Sequence, residues 1–163
     1  MCKGNLTRYV DIIPLYKVKI MQDRRWLMPK VLRTHNMSKC IGCFACMTVC
    51  AAFNHKDHSL KKSCISVKTS GGLEGRFVSS VCLACRDAAC EEVCPTGALI
   101  ARKGGGVNLK KELCIGCRRC VNACSVMAVS YDDETSKPLI CHHCGICAYY
   151  CPHSCLTMEE VPE

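Results

Sequence analysis

Sixteen cysteines stand in four spaced groups of four, and thiolates at such spacing do one kind of chemistry well: they hold metal. Cys40, Cys43, Cys46 and Cys50 follow C-x2-C-x2-C-x3-C. Cys82, Cys85, Cys90 and Cys94 follow C-x2-C-x4-C-x3-C, with Pro95 next. Cys114, Cys117, Cys120 and Cys124 repeat the first spacing, as do Cys141, Cys144, Cys147 and Cys151, the last followed by Pro152. Cys2, Cys64 and Cys155 fall outside the four groups and read as buried free thiols, since free cysteine behaves as a small core residue.

Cysteines at i, i+3 and i+6 turn their thiolates to one side of a loop, which suits three corners of a cubane. The fourth lies too far along to close the same loop easily, and in the bacterial two-cluster pattern it ligates the other cluster of the pair. Zinc ribbons use two separated C-x2-C pairs and would waste the third cysteine of every group. A disulfide scaffold needs a secretory address. The start, "MCKGNLTRYVDIIPLYKVKI", has no apolar signal core, "DRRWL" has no apolar segment behind its arginines, and no run is long enough for a membrane helix. A cytoplasmic iron–sulfur protein is the expectation. Ile41 and Ile115, within the two "CIGC" stretches, are placed to cover clusters, with Leu83, Phe44, Val49, Val93 and Ile146 as further apolar cover. Gly42 and Gly116 let backbone amides approach the sulfurs.

Elements must position these loops. "FNHKDHSLKKSCISVKTSGGLEGRFVSSV" has β-branched runs around Gly71-Gly72 and predicts a hairpin. "CPTGALIARKGGGVNLKKELC" reads as strand, Gly104–Gly106 turn and strand, and "AVSYDDETSKPLIC" repeats the plan with Asp132–Glu134 at the turn. Short helical turns are expected to begin near each third cysteine and to end after Cys50, Cys94 and Cys124, with Pro95 and Pro152 as stops. Residues 1–39 carry no motif. "RYVDIIPLYKVKIM" suggests short strands or an extended arm, and Trp26, Leu27 and Met28 form an apolar plug for the body or a partner.

That first stretch also holds the charge: nine basic residues against Asp11 and Asp23, a net of +7, out of +8 for the chain. A basic arm suggests nucleic acid. Four cubanes with sixteen thiolates would, however, bring roughly −8 in the oxidised state and nearly cancel it. No nucleic acid is expected, and the arm reads as a docking segment for a partner protein.

Over residues 40–158 the sequence resembles the four-cluster, DMSO-reductase-β-type ferredoxin family, the electron-transfer subunits of large redox enzymes. The resemblance implies an α+β fold of two bacterial-ferredoxin-like modules, each for two [4Fe-4S] clusters, with the motifs paired in nested order. One cluster would take Cys40, Cys43, Cys46 and Cys151, and its module partner Cys141, Cys144, Cys147 and Cys50. In the inner module one would take Cys82, Cys85, Cys90 and Cys124, the other Cys114, Cys117, Cys120 and Cys94. Spacing alone leaves sequential pairing, motif one with two and three with four, open. The division that follows is a 1–39 extension, an outer module of 40–50 and 125–163, a 51–81 insertion and an inner module of 82–124.

Within that family, the run "TSGGLEGRFVSSVCLACRDAACEEVCPTGAL" and the compact length most resemble small subunits partnering tungsten-dependent aldehyde:ferredoxin oxidoreductase-type enzymes, including the benzoyl-CoA-reductase type. There the large subunit holds a tungstopterin and its own cluster. Partners of formate dehydrogenase, hydrogenase and carbon monoxide dehydrogenase share much of the pattern. Related enzymes replace a third-motif cysteine by an aromatic residue; here all sixteen positions are cysteine, which favours four [4Fe-4S] clusters.

No nucleophile–base pair or phosphate loop is present, so no catalysis is expected of the chain itself. The expected function is single-electron transfer between a tungstopterin-type catalytic subunit and a further redox protein or a second copy. A free polyferredoxin is the alternative, against which the 39-residue basic arm argues. His142 and His143 inside the fourth loop, and His153 after it, could tune a cluster but read first as loop filling. Arg118-Arg119 and Lys110-Lys111 could offset cluster charge or dock an acidic partner, or simply be solvated.

Overall fold

The structure, a computed structural model, describes residues 30–71 and 75–161. The strands suggested within 8–21, the Trp26-Leu27-Met28 plug and Cys2 lie outside them. Strand β1 (Lys30–Thr34) leads through a single 3-10 turn (Met37–Lys39) to the first cysteine loop and helix α1 (Ala45–His55). A second 3-10 turn (Leu60–Lys62) precedes the hairpin β2 (Ser66–Thr69) and β3 (Phe77–Ser80). The second loop ends in α2 (Ala89–Glu92), followed by β4 (Leu99–Ala101) and β5 (Val107–Leu109). The third ends in α3 (Arg119–Ala123), followed by β6 (Ser130–Asp132) and β7 (Lys137–Leu139). The fourth ends in α4 (Ile146–Tyr149), and β8 (Leu156–Glu160) closes the described chain.

All three expected hairpins form, as antiparallel pairs β2–β3, β4–β5 and β6–β7. Their turn residues explain them. Gly104, Gly105 and Gly106 all have positive φ. Asp132 accepts the Glu134 N–H at 3.1 Å and the Thr135 hydroxyl at 2.7 Å, which closes the last hairpin on a side chain. The fourth pair joins chain ends: β1 lies antiparallel to β8 with Leu32 opposite Met158, and Lys30 forms an ion pair with Glu160 at 3.3 Å. β1 therefore draws the last ten residues of the 1–39 extension into the body of the fold.

Helix α1 departs from expectation by running on past Cys50 to His55. Ala51 and Ala52 are strong helix formers and no proline follows, whereas Pro95 and Pro152 stand just beyond α2 and α4. Lys56 ends α1 in the left-handed conformation, its N–H reaching the Ala51 and Ala52 carbonyls.

Helix α1 packs on α4, and α2 on α3. Two apolar cores result. Leu32, Met47, Ile65, Val67, Val81, Leu139 and Leu156 build the first with Cys50, Cys64, Cys141 and Cys147. Ala88, Leu99, Val107, Cys120 and Ile140 build the second. The 51–81 insertion thus supplies core residues to the first body. The boundary falls between Leu139 and Ile140, neighbours in sequence that turn into different cores. Among the described residues no helix is long and apolar enough to cross a membrane.

Candidate metal centres

The four cysteine loops share one backbone device. The residue just before each second cysteine is left-handed: Gly42 (φ +69°), Ala84 (+53°), Gly116 (+71°) and His143 (+52°). Two of the four are glycine, for which this is free; Ala84 and His143 are strained, and each is held by neighbours. Gly105 presses on Ala84, where an added Cβ would lie 2.1 Å from the Ala84 carbonyl oxygen, and the Gly106 N–H donates to the Cys85 carbonyl at 2.9 Å. The buried His143 accepts the Leu32 N–H on Nδ1 at 2.9 Å.

These loops bring the cysteines together across the chain. Cys40, Cys43, Cys46 and Cys151 line one cavity, with Ile41, Phe44, Val67 and Leu156. Cys94, Cys114, Cys117 and Cys120 line a second, with Leu99, Leu109 and Ile115. Cys82 has Cys85 and Cys124 as electrostatic neighbours, and Cys90 has Cys82 and Cys124. Cys50 stands beside Cys141, Cys144 and Cys147. The groups also adjoin one another: Cys46 neighbours Cys147, Cys82 neighbours Cys141, and Cys90 neighbours Cys120.

The third cysteines and three of the fourth, Cys50, Cys94 and Cys151, sit in opposite electrostatic settings. Burial pushes the Cys46 and Cys90 thiols up to about 11, and raises those of Cys120 and Cys147 as well. The Cys50 thiol is instead lowered to about 6, first by a hydrogen bond from the Cys64 side chain, against the effect of burial. At Cys151 burial also acts upward, but the amides of Cys155 and His153 outweigh it and hold the thiol below its ordinary value. Each fourth sulfur accepts backbone N–H groups: Cys64 to Cys50 at 3.4 Å, Ala128 to Cys124 at 3.3 Å and Cys155 to Cys151 at 3.2 Å. At Cys94 the amides of Leu99, Thr96 and Ala98 do the same.

Several supporting residues escape the sequence reading. Asn54 Nδ2 donates to the Cys50 carbonyl at 3.0 Å and to its sulfur at 3.5 Å; the i, i+4 spacing on one helix could have found it. Arg102 reaches the carbonyls of Gly105, His142 and Lys30 at 3.1, 3.4 and 3.4 Å, with no local signal to betray it. Tyr131 donates to the Gly116 carbonyl at 3.0 Å, and Lys137 to that of Cys114.

Of the expected apolar cover, Ile146 is buried, Phe44, Val49 and Val93 are half-buried, and Leu83 is exposed. Ile41 and Ile115 line their cavities from the rim, 63% and 67% exposed. His142 is exposed and His153 half-buried against the first cavity. Arg118 lies 4.0 Å over the Tyr131 ring and pairs with Asp133, while Arg119, Lys110 and Lys111 are exposed.

The 4Fe-4S binding domain family matches residues 107–130, which contain the third quartet. An uncharacterized ferredoxin of Methanocaldococcus jannaschii is 31% identical over 138 residues, covering 84% of this chain and 76% of its own. The chain belongs to the ferredoxin-type iron–sulfur electron-transfer family. Other ferredoxin-type relatives are named for the complexes they serve. A polysulfide reductase subunit of Wolinella succinogenes is 28% identical over 144 residues, 79% of this chain and 75% of the relative. The thiosulfate reductase electron transfer subunit PhsB of Salmonella typhi is 29% identical over 144 residues, with the same two shares. This ferredoxin-type chain has the donor set that [4Fe-4S] clusters require. Thiols face cavities walled by apolar side chains, and the loops approach closely enough that a Cβ on Gly116 would lie 2.5 Å from the Ser136 carbonyl oxygen. The residues fit the group.

Proposed function

We propose that this chain is a non-catalytic electron-transfer subunit, passing single electrons through four [4Fe-4S] clusters between a large catalytic oxidoreductase subunit and a second redox protein or another copy of itself. The observation that carries the reading is the cavity shared by Cys40, Cys43, Cys46 and Cys151, a quartet assembled from the two ends of the described chain. Nested ligation accounts for that cavity. Its ligand sets are Cys40, Cys43, Cys46, Cys151; Cys141, Cys144, Cys147, Cys50; Cys82, Cys85, Cys90, Cys124; and Cys114, Cys117, Cys120, Cys94. The proximity of Cys46 to Cys147, Cys141 to Cys82 and Cys90 to Cys120 supports a reading in which the sets follow one another in that order.

A [4Fe-4S] cluster bound in such a quartet supplies a one-electron couple. The protein's part is to hold and shield. The third cysteines bring buried or half-buried thiols from the helices, and the fourth bring sulfurs cradled by amides, which favour the anionic ligand. Ile41 and Ile115 narrow the mouths of the two terminal cavities, where a partner would exchange electrons.

Two observations bear on the partner. The run at 69–99 points to a tungstopterin subunit, while the relatives' names point to reductases of polysulfide or thiosulfate. Either is a large catalytic subunit that the basic 1–39 segment could dock, in the cytoplasm, with no nucleic acid involved. Isolation of the native complex, with metal analysis of what co-elutes, tests both levels. About sixteen iron and sixteen sulfide per chain, in a brown protein bleached by reductant, are expected, with tungsten in the co-eluting subunit. Zinc without a chromophore would overturn the cluster reading; molybdenum would replace the tungsten partner with the other reductase type.

A further inference from the structure

His143 is buried, 5% exposed, and only one of its ring nitrogens is accounted for. Nδ1 accepts the Leu32 N–H at 2.9 Å, so the neutral ring carries its proton on Nε2. Nε2 has no hydrogen-bond partner; among the described residues only Thr157 Oγ1 is another buried side-chain polar atom of which this is true. An N–H sealed from water and left unpaired is costly, and native proteins rarely keep one. An acceptor is therefore expected where Nε2 points.

Gly106 shows where that is. A Cβ on Gly106 would lie 3.4 Å from His143 Nε2 and 3.5 Å from Ala84 Cα, so it would stand between the ring edge and the second cysteine loop. Glycine keeps that space clear. The Gly106 N–H donates to the Cys85 carbonyl at 2.9 Å, which holds the turn against the same loop. His143 thus springs from the fourth loop, but its donor edge is turned towards the second, at the residue before Cys85. Its other nitrogen is held by β1, which fixes the ring in that orientation.

We propose, resting on the four-cluster reading above, that His143 donates its Nε2–H to a sulfur of the [4Fe-4S] cluster held by Cys82, Cys85, Cys90 and Cys124. A residue of the fourth loop would then tune the centre of the second. A donor to a cluster sulfur stabilises the more negative, reduced state, so its loss lowers the reduction potential. The two ring nitrogens have separate tasks, one structural and one electrostatic, and two substitutions separate them. His143→Asn keeps an acceptor for Leu32 but is too short to reach as far as Nε2. His143→Gln carries an amide donor about as far out as Nε2.

The test uses the full chain loaded with clusters, with iron analysis and potentiometric titration followed by EPR. The signal lost in Cys85→Ser marks the second loop's centre, and that lost in Cys144→Ser marks the fourth's. In His143→Asn, with iron unchanged, the second loop's step moves to lower potential and the other three stay. In His143→Gln it returns towards its starting position. Four unmoved steps would leave Nε2 to a buried water, and a shift confined to the fourth loop's step would make it a donor to its own centre. Equal shifts in the two variants would assign the effect to packing. Each of these overturns the proposal. Should the variants lose iron, the unmutated chain labelled with [15N]histidine decides: pulsed EPR of the second loop's centre should show a 15N coupling, and its absence overturns the proposal. The parent's own iron content judges the four-cluster reading separately, since fewer than about sixteen iron would end that reading whatever His143 does.

Discussion

The Leu32 backbone N–H donates to Nδ1 of His143 at 2.9 Å across 111 positions of sequence. It ties the strand before the first motif to the loop of the last, and it fixes the proton of the neutral ring on Nε2. His143→Leu leaves a buried N–H without a partner, a loss of about 1–3 kcal/mol. His143→Asn keeps a side-chain acceptor and tolerates the left-handed backbone, so it should lose less. Denaturant midpoints of the loaded protein check the ranking, which reverses if His143 only fills the loop.

Arg102 spans the junction between the two bodies, touching its own hairpin at Gly105, the fourth loop at His142 and β1 at Lys30. Arg102→Met keeps the apolar stem but removes the charged donors, making local opening of the junction easier by about 1.5–3 kcal/mol. Lysine should not rescue it, because one ammonium cannot reproduce a planar fork. Faster amide hydrogen exchange at residues 30–32 and 142–144, with α1 unchanged, is the expected signature.

Gly116 has φ +71°, and a Cβ there would lie 2.5 Å from the Ser136 carbonyl oxygen. Gly116→Ala must push the third loop off the β6–β7 turn, and backbone cannot yield as a side chain tip would. The chain should retain about four fewer iron atoms. Ala84→Gly, which relieves a strained left-handed residue, should leave the iron count intact.

Ligand substitution discriminates the pairings. With nested ligation, Cys151→Ser damages the centre of Cys40, Cys43 and Cys46 and leaves that of Cys141, Cys144 and Cys147. Sequential pairing would place the damage in the centre of Cys114, Cys117 and Cys120. The EPR signal lost in Cys151→Ser should match that lost in Cys43→Ser and differ from that lost in Cys117→Ser.

Cluster removal has a pH signature. In the metal-free chain burial holds the Cys46 and Cys90 thiols at about 11, so both are protonated at neutral pH. Loading must displace those protons, and affinity should rise with pH until the thiols ionise unaided. A weakly buffered reconstitution should acidify in proportion to the iron taken up. No acidification would mean that the thiols are already ionised.

Much of the molecule was legible in the sequence because it is local. Cysteine spacing set out the four loops, and Gly104–Gly106 and Asp132 announced two hairpins through residues that only such turns favour. Helix α1 outruns its expected length because Ala51 and Ala52 carry it onward, whereas proline stands just beyond α2 and α4. What is not local was not legible. The pairing of β1 with β8, the reach of Arg102 and the bond from Leu32 to His143 join segments that no spacing rule connects.

By itself the sequence determined the sixteen thiols, the loops that carry them and the metal chemistry they suit. Only the tertiary structure brings distant thiols to one cavity: Cys151 lines that of Cys40, where β8 returns to pair with β1, and Cys94 lines that of the Cys114 loop, where α2 packs on α3. The physical reason is that a loop's shape follows from short-range backbone preferences. The meeting of distant loops is set by the burial of Leu32, Leu139 and Leu156 in one core and of Val107 and Ile140 in another.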